Sequence, residues 1–226
     1  MTMNEIVMSD LEAISERHSV RNYKANKIEN EKISKLKELI DKLNTEGKLH
    51  LQFMEDAGNT FNRLLNKVMG LGSAPSVIAC VGKDDETLDQ RVGYYGEKLV
   101  LYAQKLGLNT CWAGTFNKKN IGAKVEDGER LVIAIAIGYG ENPGRPRKSK
   151  SLSQVCESEV ESPDWFTKGV EAALLAPTAI NQQKFLIKLK QDGTVEFTDK
   201  GGVLSQVDLG IVKCHFEIGS GKTINI

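Results

Sequence analysis

Apolar positions along this chain switch between a spacing of 3.6 residues and a spacing of 2, and that switching predicts its elements. Ser9 and Glu12 stand at capping-box spacing, each able to satisfy a free N–H at the other's end of the turn. Leu11 and Ile14 then predict a short helix ending near Arg17 or His18, and a polar connector from Ser19 to Lys27. Ile33, Leu36, Ile40 and Leu43 share one helix face, with Gly47 as the stop. Leu49, Leu51 and Phe53 alternate as a half-buried strand does. Phe61, Leu64, Leu65 and Val68 predict another helix, closed by Gly70 and Gly72. Val77 to Val81, between Pro75 and Gly82, is a short buried strand. A long helix follows from Thr87 to Leu106, with Val92, Tyr95, Leu99, Tyr102 and Leu106 on one face and Gly107 as its stop. Leu131 to Ile137 is continuous and apolar, the pattern of a central strand.

Residues 140–163 break the pattern. They hold Pro143, Pro146, Pro163 and the basic run Arg145 to Lys150, and are expected to form an extended connection. Phe166, Val170, Ala173 and Leu174 then mark a helix. Phe185, Ile187 and Leu189 pair with Val195 and Phe197 across Asp192-Gly193 as a hairpin. Val207, Ile211, Cys214 and Ile218 mark a last helix. Runs of helices and strands mixed in this way predict an α+β fold. A faint internal repeat accompanies it: Ala74-Pro75-Ser76 echoes Ala176-Pro177-Thr178, and Val92-Gly93 echoes Leu209-Gly210, so that Leu99 falls on Phe216 and Leu101 on Ile218. Two pseudo-symmetric halves in one chain, or chance, accounts for it.

Composition narrows the function. With 30 basic and 30 acidic residues the formal net charge is zero, which argues against nucleic acid or an acidic membrane as the main partner. The longest apolar run is too short to span a bilayer, and the opening Met1-Thr2-Met3-Asn4-Glu5 lacks a signal-peptide pattern, so a cytoplasmic protein is expected. Cys80, Cys111, Cys156 and Cys214 form no Cys-x-x-Cys pair and read as reduced thiols. His18, His50 and His215 offer no metal-ligand spacing, and no metal is expected.

Four segments carry candidate chemistry. Arg17-His18-Ser19-Val20-Arg21 puts two guanidiniums and a hydroxyl where a helix gives way to extended chain, enough donors for a phosphate monoester; the same residues would also serve as a helix terminus and a solvated connector. Ala176 to Gln183 carries Asn181 and Gln183, whose amides suit the edge of a heterocycle or cap their own loop. In Asn109 to Thr115, small residues would let backbone approach a flat ring, with Trp112 either core or stacking group. The run Arg145 to Lys150 is a further phosphate clamp or a solvated linker. Gly219-Ser220-Gly221-Lys222-Thr223 hints at a phosphate-binding P-loop, but Phe216 stands where that loop needs a Gly.

Taken together, these segments resemble the nitroreductase family. Ala13 to Tyr23 looks like its N-terminal Arg-Arg-Ser-x-Arg signature, with His18 in place of the second Arg or Lys. Lys105 to Trp112 looks like its Gly-Leu-Gly-x-x-Trp segment, with Asn109 for the second Gly. Residues 138–148 resemble its Gly-rich, basic stretch. The family's Ala-Pro-Ser-x-x-Asn-x-Gln-Pro motif is best matched late, at Ala176 to Gln183, with Lys184 for the Pro. That order is similar to a fused, pseudo-dimeric branch in which one chain supplies both halves: 1–140 as an N-terminal half, 141–163 as connector, and 164–226 as a C-terminal half completing the site.

The resemblance implies a mixed sheet flanked by helices, FMN in a cleft between the halves, and NAD(P)H as co-substrate. Arg17, His18, Ser19 and Arg21 would bind phosphate and ribityl, closed by Arg147 or Lys148. Asn181 and Gln183 would meet the ribityl or pyrimidine edge. Pro177 and Thr178 would line the ring, and Ala113, Gly114 and Thr115 would pack against it. The flavin carries the chemistry, so no catalytic acid or base is named. A small electron acceptor (nitroaromatic, quinone or similar) is the implied partner, in a monomeric pseudo-dimer or a homodimer. Oxygen-dependent flavin cleavage, dehalogenation or non-catalytic flavin binding are the alternatives.

Overall fold

A computed structural model describes residues 8–57, 60–61 and 74–226. The expected helix over Phe61 to Val68 lies outside the described residues, apart from Phe61, which is buried. Helix α1 (Asp10–Glu16) begins at Ser9, whose hydroxyl accepts from the Glu12 N–H while the Glu12 carboxylate accepts from the Ser9 N–H, the expected capping box. Helix α2 (Asn30–Gly47) buries Ile33, Leu36, Ile40, Leu43 and Gly47 and closes on Lys48 in the left-handed region. Helix α3 (Leu88–Lys105) buries more than the one face its apolar spacing marks: Gly93, Tyr94, Gly96, Glu97, Val100, Leu101 and Ala103 are covered as well. The reason is a second partner. The C-terminal helix α6 (Ser205–Ser220) crosses it so closely that a Cβ on Gly93 would lie 2.1 Å from the Val207 carbonyl oxygen, and one on Gly210 2.1 Å from that of Gln90. The two glycines of the faint repeat therefore meet at one crossing.

Four strands, β1 (Gln52–Met54), β2 (Ser76–Lys83), β3 (Asn109–Ala113) and β4 (Glu129–Gly138), form an antiparallel sheet in the order β1-β2-β4-β3. The central position expected for Leu131 to Ile137 is the one β4 takes. Its continuous apolar run resolves into two faces, as period-2 geometry requires. Ile133, Ile135 and Ile137 pack with Leu99, Val100 and the other long-helix residues, while Ala134 and Ala136 join Val20, Tyr23 and Phe61 in a second cluster.

A smaller sheet, β5-β6-β7, consists of β5 (Cys156–Ser158), β6 (Phe185–Leu189) and β7 (Val195–Asp199). The expected hairpin is β6 with β7. The stretch expected to be wholly extended is corrected in part: Ser151 and Gln154 form a second capping box that starts the one-turn helix α4 (Leu152–Val155), and Cys156 to Ser158 add a parallel strand beside β6. Helix α5 (Asp164–Leu174) packs on α6 through Phe166 and Phe216, rings 5.9 Å apart. Among the described residues no helix is long and apolar enough to cross a membrane.

Candidate flavin site

The segment after α1 runs along the outer edge of β3, where Ser19 bridges Thr110 and the Val20 N–H donates to the Thr110 carbonyl. Extended backbone alternates its side chains. Val20 therefore enters the core while Ser19 and Arg21 face the other way, into a cavity of about 360 Å³. The cavity gathers Ala113, Gly114 and Thr115 from the end of β3, Pro177 and Thr178 from the loop after α5, and Val207, Asp208 and Ile211 from α6. Seven of the residues expected at the site line it: Ser19, Arg21, Ala113, Gly114, Thr115, Pro177 and Thr178. A side chain at Gly114 would meet Leu204, whose Cδ1 lies 2.6 Å from where a Cβ would stand.

Arg17 sits behind this wall. It is 2% exposed, its Nη2 lies 3.5 Å from the Ser19 hydroxyl, and its backbone carbonyl accepts from Arg147 Nη2 at 2.9 Å. Among the described residues, Arg17 Nε and Nη1 and Arg147 Nη1 are buried donors without a hydrogen-bond acceptor. Burial, and then the neighbouring Arg17 charge, lower the Arg147 pKa to about 10. Two guanidiniums converge here with donors to spare, which fits an anion such as a phosphate monoester. His18 is half-buried beside them, and burial followed by the charges of Arg147 and Arg17 lowers its pKa, so it adds little positive charge at neutral pH.

Trp112 is both wall and core. Its indole lines the cavity and its Nε1–H donates at 2.8 Å to Glu97, which is fully buried on α3. The other Glu97 oxygen lies 2.9 Å from His215 Nε2, whose Nδ1–H donates to the Ala172 carbonyl. Burial alone would raise the Glu97 pKa, but the His215 contact, the Arg17 charge and the Trp112 hydrogen bond outweigh it and hold the carboxyl below its ordinary value. The pair thus ties the ring wall to the arginine side of the site.

Asn181, Gln183 and Lys148 take a different place from the one expected. The Lys148 carbonyl accepts from both Asn181 Nδ2 (2.8 Å) and Gln183 Nε2 (3.0 Å), Gln183 Oε1 accepts from the Lys150 N–H, and none of the three lines the cavity. Their amides hold the basic connector against the loop. The physical reason is burial: Gln183 is 3% exposed, so its amide must be satisfied by protein.

Asp208 is the charged cavity residue that sequence reasoning missed, alongside apolar ones such as Leu204, Val207 and Ile211. It is 8% exposed, and its carboxylate accepts from the Ala179 N–H and from Gln182 Nε2 at 2.7 Å. Gln182 Nε2 also reaches the Val203 carbonyl, so the 178–183 and 200–204 loops are tied together. Burial first, then Asp199, raises the Asp208 pKa to about 6 against the lowering effect of those hydrogen bonds. Its signal was a lone charge inside the apolar run from Val207 to Val212. Strain gathers in the two loops beside Asp208: Ile180, Asn181, Gln183 and Leu204 all have positive φ without being glycine. Among the described residues no group of three or more His, Cys, Asp and Glu is placed to hold a metal.

The crystal structure of a Thermotoga maritima protein designated a nitroreductase superposes with a TM-score of 0.71 at 26% identity, over 94% of this chain and 84% of that one. A nitroreductase family protein of Streptococcus pneumoniae gives a TM-score of 0.53 at 13% identity, over 66% of this chain and 99% of its own. One from Exiguobacterium sibiricum, crystallised in complex with FMN, gives 0.50 at 17%, over 65% and 95%. These last two show likeness of fold. No curated protein matches the sequence. The family model described as "Putative TM nitroreductase" matches residues 10–220, nearly the whole described chain, and the protein belongs to that nitroreductase family.

Proposed function

We propose that the cavity holds FMN and that the protein is an NAD(P)H-dependent oxidoreductase acting on a small electrophilic acceptor such as a nitroaromatic or a quinone. The observation that carries this reading is the set of buried guanidinium donors of Arg17 and Arg147, without acceptors among the described residues, behind a mostly apolar cavity. The FMN complex of the Exiguobacterium sibiricum relative supports the same choice of ligand. Bound FMN would supply the two-electron chemistry between nicotinamide and acceptor. Arg17, Ser19, Arg21 and Arg147 would hold the phosphate and ribityl side. Trp112, Ala113, Gly114 and Thr115 on one side and Pro177 and Thr178 on the other would bound the ring and keep water from it. Leu204, Val207 and Ile211 add to that apolar enclosure.

The test begins with the visible absorption of the purified protein and the mass of what it releases on denaturation. The expected result is FMN, bleached anaerobically by NADH or NADPH and recoloured by menadione. Removing a charge-assisted hydrogen bond costs about 1.5–3 kcal/mol. Arg147→Met and Ser19→Ala should therefore weaken FMN binding by roughly 10- to 100-fold on that scale. A protein that takes up no FMN overturns the whole reading. One that holds FMN yet leaves NAD(P)H unoxidised is a flavin binder, which overturns the enzymatic half.

A further inference from the structure

A second cavity, of about 530 Å³, opens between β7, α5, α6 and the C-terminal residues, and it shares no lining residue with the flavin site. Its walls include Trp165, Val195, Phe197, Lys213, Lys222 and Ile224, and among the described residues no acidic one lines it. Lys213 is half-buried, and burial alone lowers its pKa. Its ammonium donates to two neutral oxygens, Gln90 Oε1 at 2.9 Å and the Asn225 carbonyl at 3.3 Å, and stands 5.8 Å from the centre of the Phe197 ring. Lys222 stands 5.4 Å from the Trp165 ring centre. Among the described residues neither ammonium has a carboxylate within ion-pair distance.

Four carboxylates of the neighbouring segments are engaged elsewhere. Asp192 accepts from Thr194, Glu196 pairs with Lys190, and Asp199 accepts from Ser205 and Gln206. Glu217 accepts from Tyr94 and the Ile224 N–H. Lys213, a cation partly withdrawn from water without a counter-charge, is penalised, and its neutral oxygens and ring face offset that only in part, while Lys222 adds a second, exposed positive charge at the rim. An anion entering the cavity would supply the missing charge, and the aromatic and aliphatic walls would cover an attached ring. Small-molecule sites of this size combine apolar walls with convergent polar groups, and this cavity is lined by both in about equal parts, Thr194, Thr223 and Asn225 among the polar ones.

We propose that this cavity binds a small planar aromatic anion, its ring packed among Trp165, Val195 and Phe197 and its charge met by Lys213 and Lys222. The proposal is independent of the flavin reading. Titration calorimetry on the full chain saturated with FMN, so that the first cavity is blocked, tests it with three probes: 1-naphthoate, uncharged 1-naphthalenemethanol and inorganic phosphate. The expected result is one site for naphthoate, at least tenfold tighter than for either of the others. Lys213→Met, which keeps the aliphatic stem over Phe197, should weaken naphthoate at least tenfold and leave FMN uptake unchanged. Lys222→Met, at an exposed position, should weaken it in the same direction and stands in if Lys213→Met does not fold. Absence of saturable heat, equal binding of the alcohol or of phosphate, or unchanged affinity in both variants overturns the proposal. Were the chain to hold no FMN, the same titrations run without it still decide the matter, because the two lysine variants locate the heat.

Discussion

On Asp208 two forces act on one carboxyl. Burial favours the neutral acid, while the Ala179 N–H and Gln182 amide favour the ion; burial wins, and the pKa rises from its ordinary 3.8 to about 6. A raised carboxyl pKa means the folded state binds the proton more tightly than the unfolded chain does. The stability this group contributes is therefore fully present below the unfolded pKa and is lost as pH rises through about 6. Between pH 5 and pH 7 the loss is about 1 kcal/mol. Asp208→Asn shifts stability by some constant amount, since its amide meets Gln182 differently, but it lacks the titration. Measured by urea unfolding, the variant should gain on the parent by that margin from pH 5 to pH 7; parallel curves would show that Asp208 does not titrate there. The same scale explains Asn181 and Gln183. Their amide chemistry is plain from residue type, but an amide suits a ligand edge and a neighbouring backbone equally, and only the contact with Lys148 decides between them.

Between elements, the crossing of α3 and α6 does most to shape the site. Val207, at the crossing, also lines the cavity, and Glu97 on α3 reaches His215 on α6 and Trp112 on β3. Backbone contact at Gly93 and Gly210 leaves no room for a methyl group on either side. Gly93→Ala and Gly210→Ala should each cost about 2–4 kcal/mol in denaturant unfolding, because a rigid helix backbone rather than a flexible side chain must move. Their joint effect should fall short of the sum, since either one already forces the helices apart. A cost under about 1 kcal/mol for either would mean the crossing is looser than its geometry.

For the molecule as a whole, one chain provides both sides of the flavin cavity: Ser19, Arg21 and Cys111 to Thr115 from before the basic connector, and Pro177 to Ile180 and Val203 to Asp208 from after it. On the proposed reading, a second copy is not needed to complete the site. Sedimentation at low micromolar concentration should then find a monomer carrying one FMN per chain. Flavin absorbance that sediments only with a dimer would show that a second copy supplies part of the site. Net charge at this scale is zero, yet the cations concentrate along Arg145 to Lys150 and at Lys184 and Lys200 on the loops beside it, a local field that the total conceals.

Local signals in the sequence determined the elements. The capping box at Ser9, the helical spacing of Ile33 to Leu43, the Asp192-Gly193 turn and the apolar run of β4 depend on residues within a few positions of one another, so a linear reading captures them. The buried Arg17 and the cavity residues Ser19 and Ala113 to Thr115 were legible as candidates for the same reason, as compact motifs. Helix α4 also had a local signal, in Ser151 and Gln154. The tertiary structure alone decided how far α3 is buried, that β5 pairs beside β6, and that Asp208 lies at the cavity while Asn181 and Gln183 bind the Lys148 carbonyl. Those outcomes depend on pairs more than a turn or a hairpin apart, Gly93 with Gly210 and Gln183 with Lys150 among them. Which of several polar groups reaches a ligand is settled by burial and by competing backbone partners, and neither exists until the chain has folded.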